Sequence, residues 1–274
     1  MDIKAFKMDG LGNDFVIIDQ RRNSTNLSKN QIIKICDRNY IGCDQLILIK
    51  KDKKNDAGLV FYNSDGSISG ACGNGTRCVA DLLAKENKKA EITLWTSGGI
   101  LKSKILGKNL VETEIGIPKT NWSDIPLSEN LDTKNLNIKI LDKNNKEHAG
   151  GTAINVGNPH VVFFVENIED YNLAKIGPEI ENHKFFPKKC NVTLAKVVNS
   201  NLVKVRVWER GAGLTKACGT AACATAVAGN INGLIEEKVD IEFALGKLSI
   251  SIDKENSIYM KGPVSNIKSI EIKL

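Results

Sequence analysis

The sequence predicts an α+β protein built from two pseudo-symmetric domains. Each is a mostly antiparallel sheet rolled around a central helix, and the pair arises by internal duplication. Three observations predict it. First, Ala-Cys-Gly occurs twice, at Ala71-Cys72-Gly73 and Ala217-Cys218-Gly219, 146 positions apart. Second, the same offset relates Phe61-Tyr62-Asn63 to Val207-Trp208-Glu209 and Gln45 to Asn191, while 145 positions separate Gly12-Asn13-Asp14-Phe15-Val16 from Gly157-Asn158-Pro159-His160-Val161. One such match means little, but four in register mark two copies of one unit. Third, short runs of alternating apolar residues outnumber helical patterns, and each Ala-Cys-Gly opens one of those few helices.

The elements follow in order. Ser28 with Gln31 forms a capping-box pattern ahead of Ile32, Ile33 and Ile35, which predicts a helix start. After Cys72, Val79, Leu82 and Leu83 recur at helical spacing. Val203, Val205 and Val207 alternate with Lys204, Arg206 and Trp208, a half-buried strand. The run from Ala221 to Ala228 is small and apolar all round, so its helix is buried on every side and needs a sheet wrapped about it. Leu248, Ile250 and Ile252 predict another strand, and Ile270, Ile272 and Leu274 a last one that returns to the first unit. With Pro118 and Pro263 as the crossings, the N-terminal domain spans 1–118 with strand 264–274, and the C-terminal domain spans 119–263.

Composition narrows the function classes. A chain of 274 residues with 42% apolar and 26% charged residues has a globular balance, which excludes collagen-like, disordered and disulfide-scaffold proteins. The net charge of +6 lies on scattered lysine pairs such as Lys50-Lys51 and Lys188-Lys189, so a solvated surface is expected and no nucleic-acid partner. The opening MDIKAFKMDGLGNDF has no apolar core, so no signal peptide is expected. No apolar run approaches the roughly 18 residues of a membrane span. A cytoplasmic protein without membrane partners is the expectation. Seven cysteines and the isolated His148, His160 and His183 show no zinc-ligand spacing, and no metal is expected.

The chemistry is read from the repeated cysteines. Most buried cysteines pack as small hydrophobes, which is the reading for Cys36, Cys43, Cys78, Cys190 and Cys223. Cys72 and Cys218 differ because each stands in a Gly-rich, polar stretch at a predicted helix start. There the helix dipole favours a thiolate. The backbone N–H groups of Gly73, Asn74, Gly219 and Thr220 lack intrahelical partners and suit a carboxylate or a developing oxyanion. Two such starts brought together by pseudo-twofold symmetry would flank one carbon with two thiols, an arrangement suited to inversion at an amino-acid Cα without a Schiff-base cofactor. Asn13, Gln45, Asn63, Asn158 and Asn191 would singly pass for turn or capping residues, and their pairing across the repeat makes them candidates for the site. The second unit also carries His160, Glu209 and Arg210 where the first has Phe15, Asn63 and Ser64, so one unit is expected to recognise a charged distal group.

At these residues the sequence closely resembles the diaminopimelate epimerases. The resemblance runs along Lys7–Phe15, Asn63-Ser64-Asp65-Gly66, Ala71–Cys78, Gly157-Asn158-Pro159-His160, and Glu209–Gly213 through Ala217-Cys218-Gly219-Thr220. It implies epimerisation of LL- to meso-diaminopimelate in lysine and peptidoglycan precursor biosynthesis, at a site in the cleft between two domains. By that resemblance Cys72 and Cys218 would be the acid–base pair, with Cys218 taking the proton of the LL isomer. Asn13 and Gln45 would hold the reacting end, and Gly73-Asn74 with Gly219-Thr220 would grip its carboxylate. Asn63, Asn158, Asn191, Glu209 and Arg210 would bind the distal centre, and His160 and Glu209 would tune the thiols. It further implies a cytoplasmic homodimer with no cofactor or metal, inactivated when the two thiols are oxidatively joined. Asp9, Thr76, Leu214 and Ala221 depart from the family pattern without removing any of these groups.

Rival readings remain at this point. Another cofactor-free amino-acid racemase of the same fold, of the proline-racemase kind, would share both cysteines. Glu209-Arg210 with Asn158 and Asn191 favours instead a substrate with a second charged end. A thiol redox or metal-binding module would act without turnover, and nucleic-acid binding rests on the +6 charge alone.

Overall fold

Runs such as Phe15-Val16-Ile17-Ile18 and Leu46-Ile47-Leu48-Ile49 are apolar at every position, so their strands must be covered on both faces. A computed structural model, which describes residues 2–23, 25–70 and 72–274, shows how. The chain forms two units, Met1–Glu114 with Lys261–Leu274, and Ile115–Met260, and each is described by itself.

The first unit contains β1 (Asp2–Gly10), β2 (Asn13–Asp19), α1 (Lys29–Cys36), β3 (Gln45–Lys50), β4 (Ala57–Asn63), β5 (Ile68–Ser69), α2 (Gly73–Asn87), β6 (Glu91–Thr96) and β7 (Gly99–Gly107), and β8 (Leu110–Gly116) leads out of it. Strand β2 pairs antiparallel with β1 and parallel with β3, whose other neighbour, β4, is antiparallel. β4 pairs antiparallel with β5 and parallel with β6, and β6 antiparallel with β7. Alternation then sorts side chains to two faces. Phe15, Ile17, Ile47, Ile49, Leu59 and Phe61 pack with Cys78, Val79, Leu82 and Leu83 of α2. Val16, Ile18, Leu46 and Leu48 pack with Ile32, Ile35 and Cys36 of α1. Each such buried side chain contributes roughly 1.5–3 kcal/mol of transfer free energy. The predicted capping box is present. Ser28 Oγ accepts from Gln31 N at 3.3 Å, and Gln31 Oε1 accepts from Ser28 N at 2.8 Å.

The second unit contains β9 (Ile138–Leu141), β10 (Glu147–Gly150), β11 (Thr152–Asn155), β12 (Pro159–Phe164), α3 (Leu173–Glu181), β13 (Asn191–Asn199), β14 (Leu202–Glu209), β15 (Gly213–Thr215), α4 (Gly219–Ile231), β16 (Lys238–Phe243) and β17 (Gly246–Ile252). Strand β18 (Ile258–Pro263) leads back to the first unit, where β19 (Lys268–Lys273) pairs antiparallel with β1, Ile272 opposite Ile3. β12 pairs antiparallel with β11 and parallel with β13, which is antiparallel to β14. β14 pairs antiparallel with β15 and parallel with β16, and β16 antiparallel with β17. Helix α3 lays Leu173, Ile176 and Ile180 on Val161, Phe163, Val192 and Leu194. Helix α4 lies against β11, β12, β13, β16 and β17 and is buried from Ala221 through Gly229.

Strand for strand, β11 to β17 repeat the pairings of β1 to β7, including the parallel crossover through a helix. The duplicated α+β fold read from the sequence is therefore the fold observed. Ala71 of the first Ala-Cys-Gly lies outside the described residues. No helix among the described residues is long and apolar enough to cross a membrane.

Candidate active site

In the first unit, strand ends deliver the polar residues to the start of α2. Asn13 opens β2, Gln45 opens β3 and Asn63 closes β4, and the register sets Gln45 beside both Phe15 and Asn63. Cys72 is the N-cap of α2, with φ −142° and ψ 111°, and its side chain makes no capping bond. Its Sγ instead donates to Asn13 Oδ1 at 3.7 Å, an oxygen that Asn74 Nδ2 also reaches at 3.3 Å. Gln45 Nε2 donates to Asn63 Oδ1 at 2.8 Å. Gln45 Oε1 is buried without a partner, an acceptor that suits an incoming ammonium group.

Supporting groups hold this arrangement in place. Asn13 Nδ2 donates to Asp44 Oδ2 at 2.9 Å, and Arg38 bonds Asp44 and also grips both carboxylate oxygens of Asp14. Arg77, fully buried in α2, donates from Nη2 to Asn74 Oδ1 at 2.9 Å. Close approach of the helix to the sheet depends on Gly75. A Cβ there would lie 2.7 Å from Ile47 Cδ1 and 3.0 Å from Phe61 Cε1.

In the second unit the equivalent strand ends carry a different set. The register pairs His160 with Asn191 across the parallel β12–β13 ladder, and Glu209 closes β14. Asn191 Oδ1 accepts from the Arg210 backbone N–H at 2.9 Å, and Asn191 Nδ2 donates to the Pro159 carbonyl at 2.9 Å. His160 Nε2 bonds Asn158 Oδ1 at 2.9 Å and lies 3.4 Å from Asn191 Nδ2. Full burial, assisted by the Arg210 charge, pushes the His160 imidazole down to about 3, so it stays neutral at physiological pH. Arg210 Nη1 donates to the Lys188 carbonyl at 2.9 Å and the residue is exposed, leaving a cation at the rim of the cluster.

Cys218 is the N-cap of α4, with φ −138° and ψ 116°, close to the angles of Cys72. Its Sγ lies 3.4 Å from Thr220 Oγ1. The helix start was expected to favour the thiolate, and at Cys218 the balance goes the other way. Burial pushes the thiol well up and the Glu209 carboxylate beside it adds to that, outweighing the Thr220 hydroxyl and the Ala221 N–H. At 5% exposure the loss of hydration exceeds what a few N–H dipoles return.

Each predicted residue thus falls into one of two clusters. Asn13, Gln45, Asn63, Cys72, Gly73 and Asn74 gather in the first unit, and Asn158, His160, Asn191, Glu209, Arg210, Cys218, Gly219 and Thr220 in the second. Sequence reasoning missed the residues that brace them. Asp44 stands directly before Gln45, and Arg77 interrupts the apolar face of α2, which were the available signals. Glu181 is nearly buried at the end of α3. Its Oε2 accepts from Trp208 Nε1 at 2.7 Å and its Oε1 from the Gly211 N–H at 3.2 Å, so it clamps the turn that bears Glu209 and Arg210.

Comparison with known proteins places this geometry in context. The family model for diaminopimelate epimerase matches residues 5–120 and 152–267, one segment in each half of the chain. The diaminopimelate epimerase of Pelagibacter ubique is 74% identical over 274 residues and covers the whole of both chains. That of Acidiphilium cryptum is 41% identical over 260 residues, covering 94% of this chain and 92% of its own. Among solved structures, a hydroxyproline epimerase from Agrobacterium vitis aligns with a TM-score of 0.69 at 12% identity, covering 98% of this chain and 91% of that one, a likeness of fold alone.

Proposed function

The chain belongs to the diaminopimelate epimerase family, and from that premise we propose that it interconverts LL- and meso-diaminopimelate by proton transfer at one Cα between Cys72 and Cys218. The observation that carries this reading is the repeated helix start, with φ and ψ of −142° and 111° at Cys72 and of −138° and 116° at Cys218. Inversion needs one base and one acid on opposite faces of the carbon, and a duplicated cysteine supplies both. In this scheme Gly73-Asn74 and Gly219-Thr220 receive the carboxylate at two helix N-termini, where fixed N–H donors stabilise the enolate-like state by roughly 3 kcal/mol each. Asn13 holds the Cys72 sulfur, and Gln45 Oε1 takes the α-ammonium group.

Asn63, Asn158, Asn191, Glu209 and Arg210 hold the distal centre in the same scheme, the Arg210 guanidinium pairing with its carboxylate. Cys218 acts as the base on the LL isomer, and Glu209, whose charge together with burial raises its thiol, tunes it. His160, held neutral, acts by shape and hydrogen bonding. The proposed mechanism uses no cofactor or metal. We place the protein as a cytoplasmic homodimer of two epimerase domains, without membrane or nucleic-acid partners. Support for this comes from the biosynthetic role of the family and the scattered surface charge.

Proton NMR of the reduced protein with LL-diaminopimelate in D₂O tests the reading. Deuterium must enter at Cα as the meso isomer forms, and Cys72→Ser and Cys218→Ser must each remain folded while losing nearly all turnover. Near-normal epimerisation by either variant would remove that cysteine from the mechanism.

A further inference from the structure

Two cysteines outside the proposed catalytic pair lie together in the first unit. Cys36 is the last residue of α1, and the chain turns back through Asp37–Gly42 to bring Cys43 beside it. Two backbone bonds close this return, Gly42 N–H to the Ile35 carbonyl at 3.1 Å and Cys43 N–H to the Cys36 carbonyl at 3.2 Å. Gly42 makes the tight return possible. Its φ is +75°, and a Cβ there would meet Arg38 Cα at 3.0 Å. The sulfurs face each other at 3.5 Å, Cys43 donating to Cys36. A direct backbone bond between the two residues holds their Cα atoms within the span that a disulfide bridges.

We propose that Cys36 and Cys43 form a hydroperoxide-sensitive dithiol, a modification site that closes to an intrachain disulfide without rearrangement of the backbone around it. Cys36 is the attacking sulfur. The Cys43 hydrogen bond and the Arg38 guanidinium hold its thiol below the usual range, while Cys43 is raised by that same bond and by burial. The Cys36 thiolate attacks one oxygen of hydrogen peroxide, forming S–O and breaking O–O, and the departing hydroxide becomes water. Cys43 then attacks the Cys36 sulfur, forming S–S and breaking S–O, and the second hydroxide leaves with the Cys43 proton as water. The two thiols lose two electrons and two protons, and one peroxide is reduced to two waters. At 3% and 2% exposure the pair is closed to bulky disulfides, and the exposed loop Asp37–Tyr40 follows Cys36 directly, so the oxidant proposed is one as small as peroxide.

The pair sits next to the proposed site, since Cys43 precedes Asp44, whose carboxylate holds Asn13. Its oxidation is nonetheless read separately from that of Cys72 and Cys218, which fall in other tryptic peptides. Native protein is treated with hydrogen peroxide, its remaining thiols are alkylated, and it is digested with trypsin. The expected product is peptide 35–38 joined to peptide 39–50, lighter by two hydrogens and separated by dithiothreitol. In Cys43→Ser, Cys36 loses its resolving partner and must accumulate as a sulfenic acid trapped by dimedone. Recovery of Cys36 and Cys43 as alkylated thiols, their separate conversion to sulfinic acids, or a Cys43→Ser protein that traps no dimedone would each overturn the proposal.

Discussion

Gly75→Ala probes how tightly the start of α2 is held against its sheet. The added Cβ would lie 2.7 Å from Ile47 Cδ1, 3.0 Å from Phe61 Cε1 and 3.2 Å from Phe15 Cε1. Carbon atoms prefer separations of about 3.5–4.0 Å, so the helix must retreat by roughly 1 Å or the core must open. The core resists, because all three neighbours are fully buried and two are rigid rings on β2 and β4, the strands that flank Ile47 on β3. Alanine returns about 1 kcal/mol of helix propensity, and overpacking costs about 1–3 kcal/mol, so the net loss of stability is on the order of 1 kcal/mol. Function is expected to suffer more. The Thr76 N–H to Cys72 carbonyl bond, at 2.8 Å, ties the cysteine to the displaced turn. A misplacement of about 1 Å at a reacting group costs on the order of a hundredfold in rate. Urea denaturation and epimerisation kinetics read the two effects separately, with Gly107→Ala as the control because nothing lies within 4 Å of its added Cβ. A Gly75→Ala enzyme with wild-type kcat and wild-type stability would refute the argument that this glycine sets the position of Cys72.

Further outcomes follow from the second unit. His160 is lowered from 6.5 to about 3 in the folded protein, so below pH 6.5 the unfolded chain binds a proton that the fold refuses. Stability present above pH 6.5 is therefore lost as pH falls, by about 2 kcal/mol between pH 6.5 and 5, and His160→Gln should flatten that slope in urea titrations. Parallel slopes in the two proteins would contradict the buried neutral imidazole. Glu209→Gln removes the charge that raises Cys218 while leaving its burial, so alkylation of Cys218 followed by mass spectrometry should show its pH inflection moving down. An unmoved inflection would mean that burial alone sets it. Glu181→Gln replaces one of two acceptor oxygens under the Glu209–Gly211 turn, with an expected cost of about 1–3 kcal/mol and a raised KM for diaminopimelate. Unchanged stability and KM together would show that the turn holds itself.

The duplicated architecture was legible because it is written twice. An offset that stays at 145 or 146 from Asn13 to Cys72 survives only if the spacings between matched positions are kept, and β1 to β7 and β11 to β17 accordingly repeat the same pairings. The strand ends were legible for the same reason, since a polar residue that closes an apolar run in both copies stands at the same edge of both sheets. What the pattern does not carry is the bracing between distant segments. Asp44 under Asn13, Arg77 under Asn74 and Glu181 under Gly211 lie outside the repeated matches, and each acts through a partner chosen by the tertiary fold.

The reversal at Cys218 shows why local reasoning about a helix start falls short. Dipole and N–H donors act along the helix and can be read from Ala217-Cys218-Gly219, whereas desolvation depends on everything packed around the sulfur. Near-identical backbone angles at Cys72 and Cys218 therefore fix only what the helix contributes. The first sulfur faces the Asn13 amide oxygen, and the second is buried beside a carboxylate. Matched helices therefore leave the two sulfurs in unmatched surroundings. The Glu209 charge adds to the rise that burial imposes on Cys218. The state of Cys218 is thus set by what packs around it, a dependence no inspection of Ala-Cys-Gly could reveal.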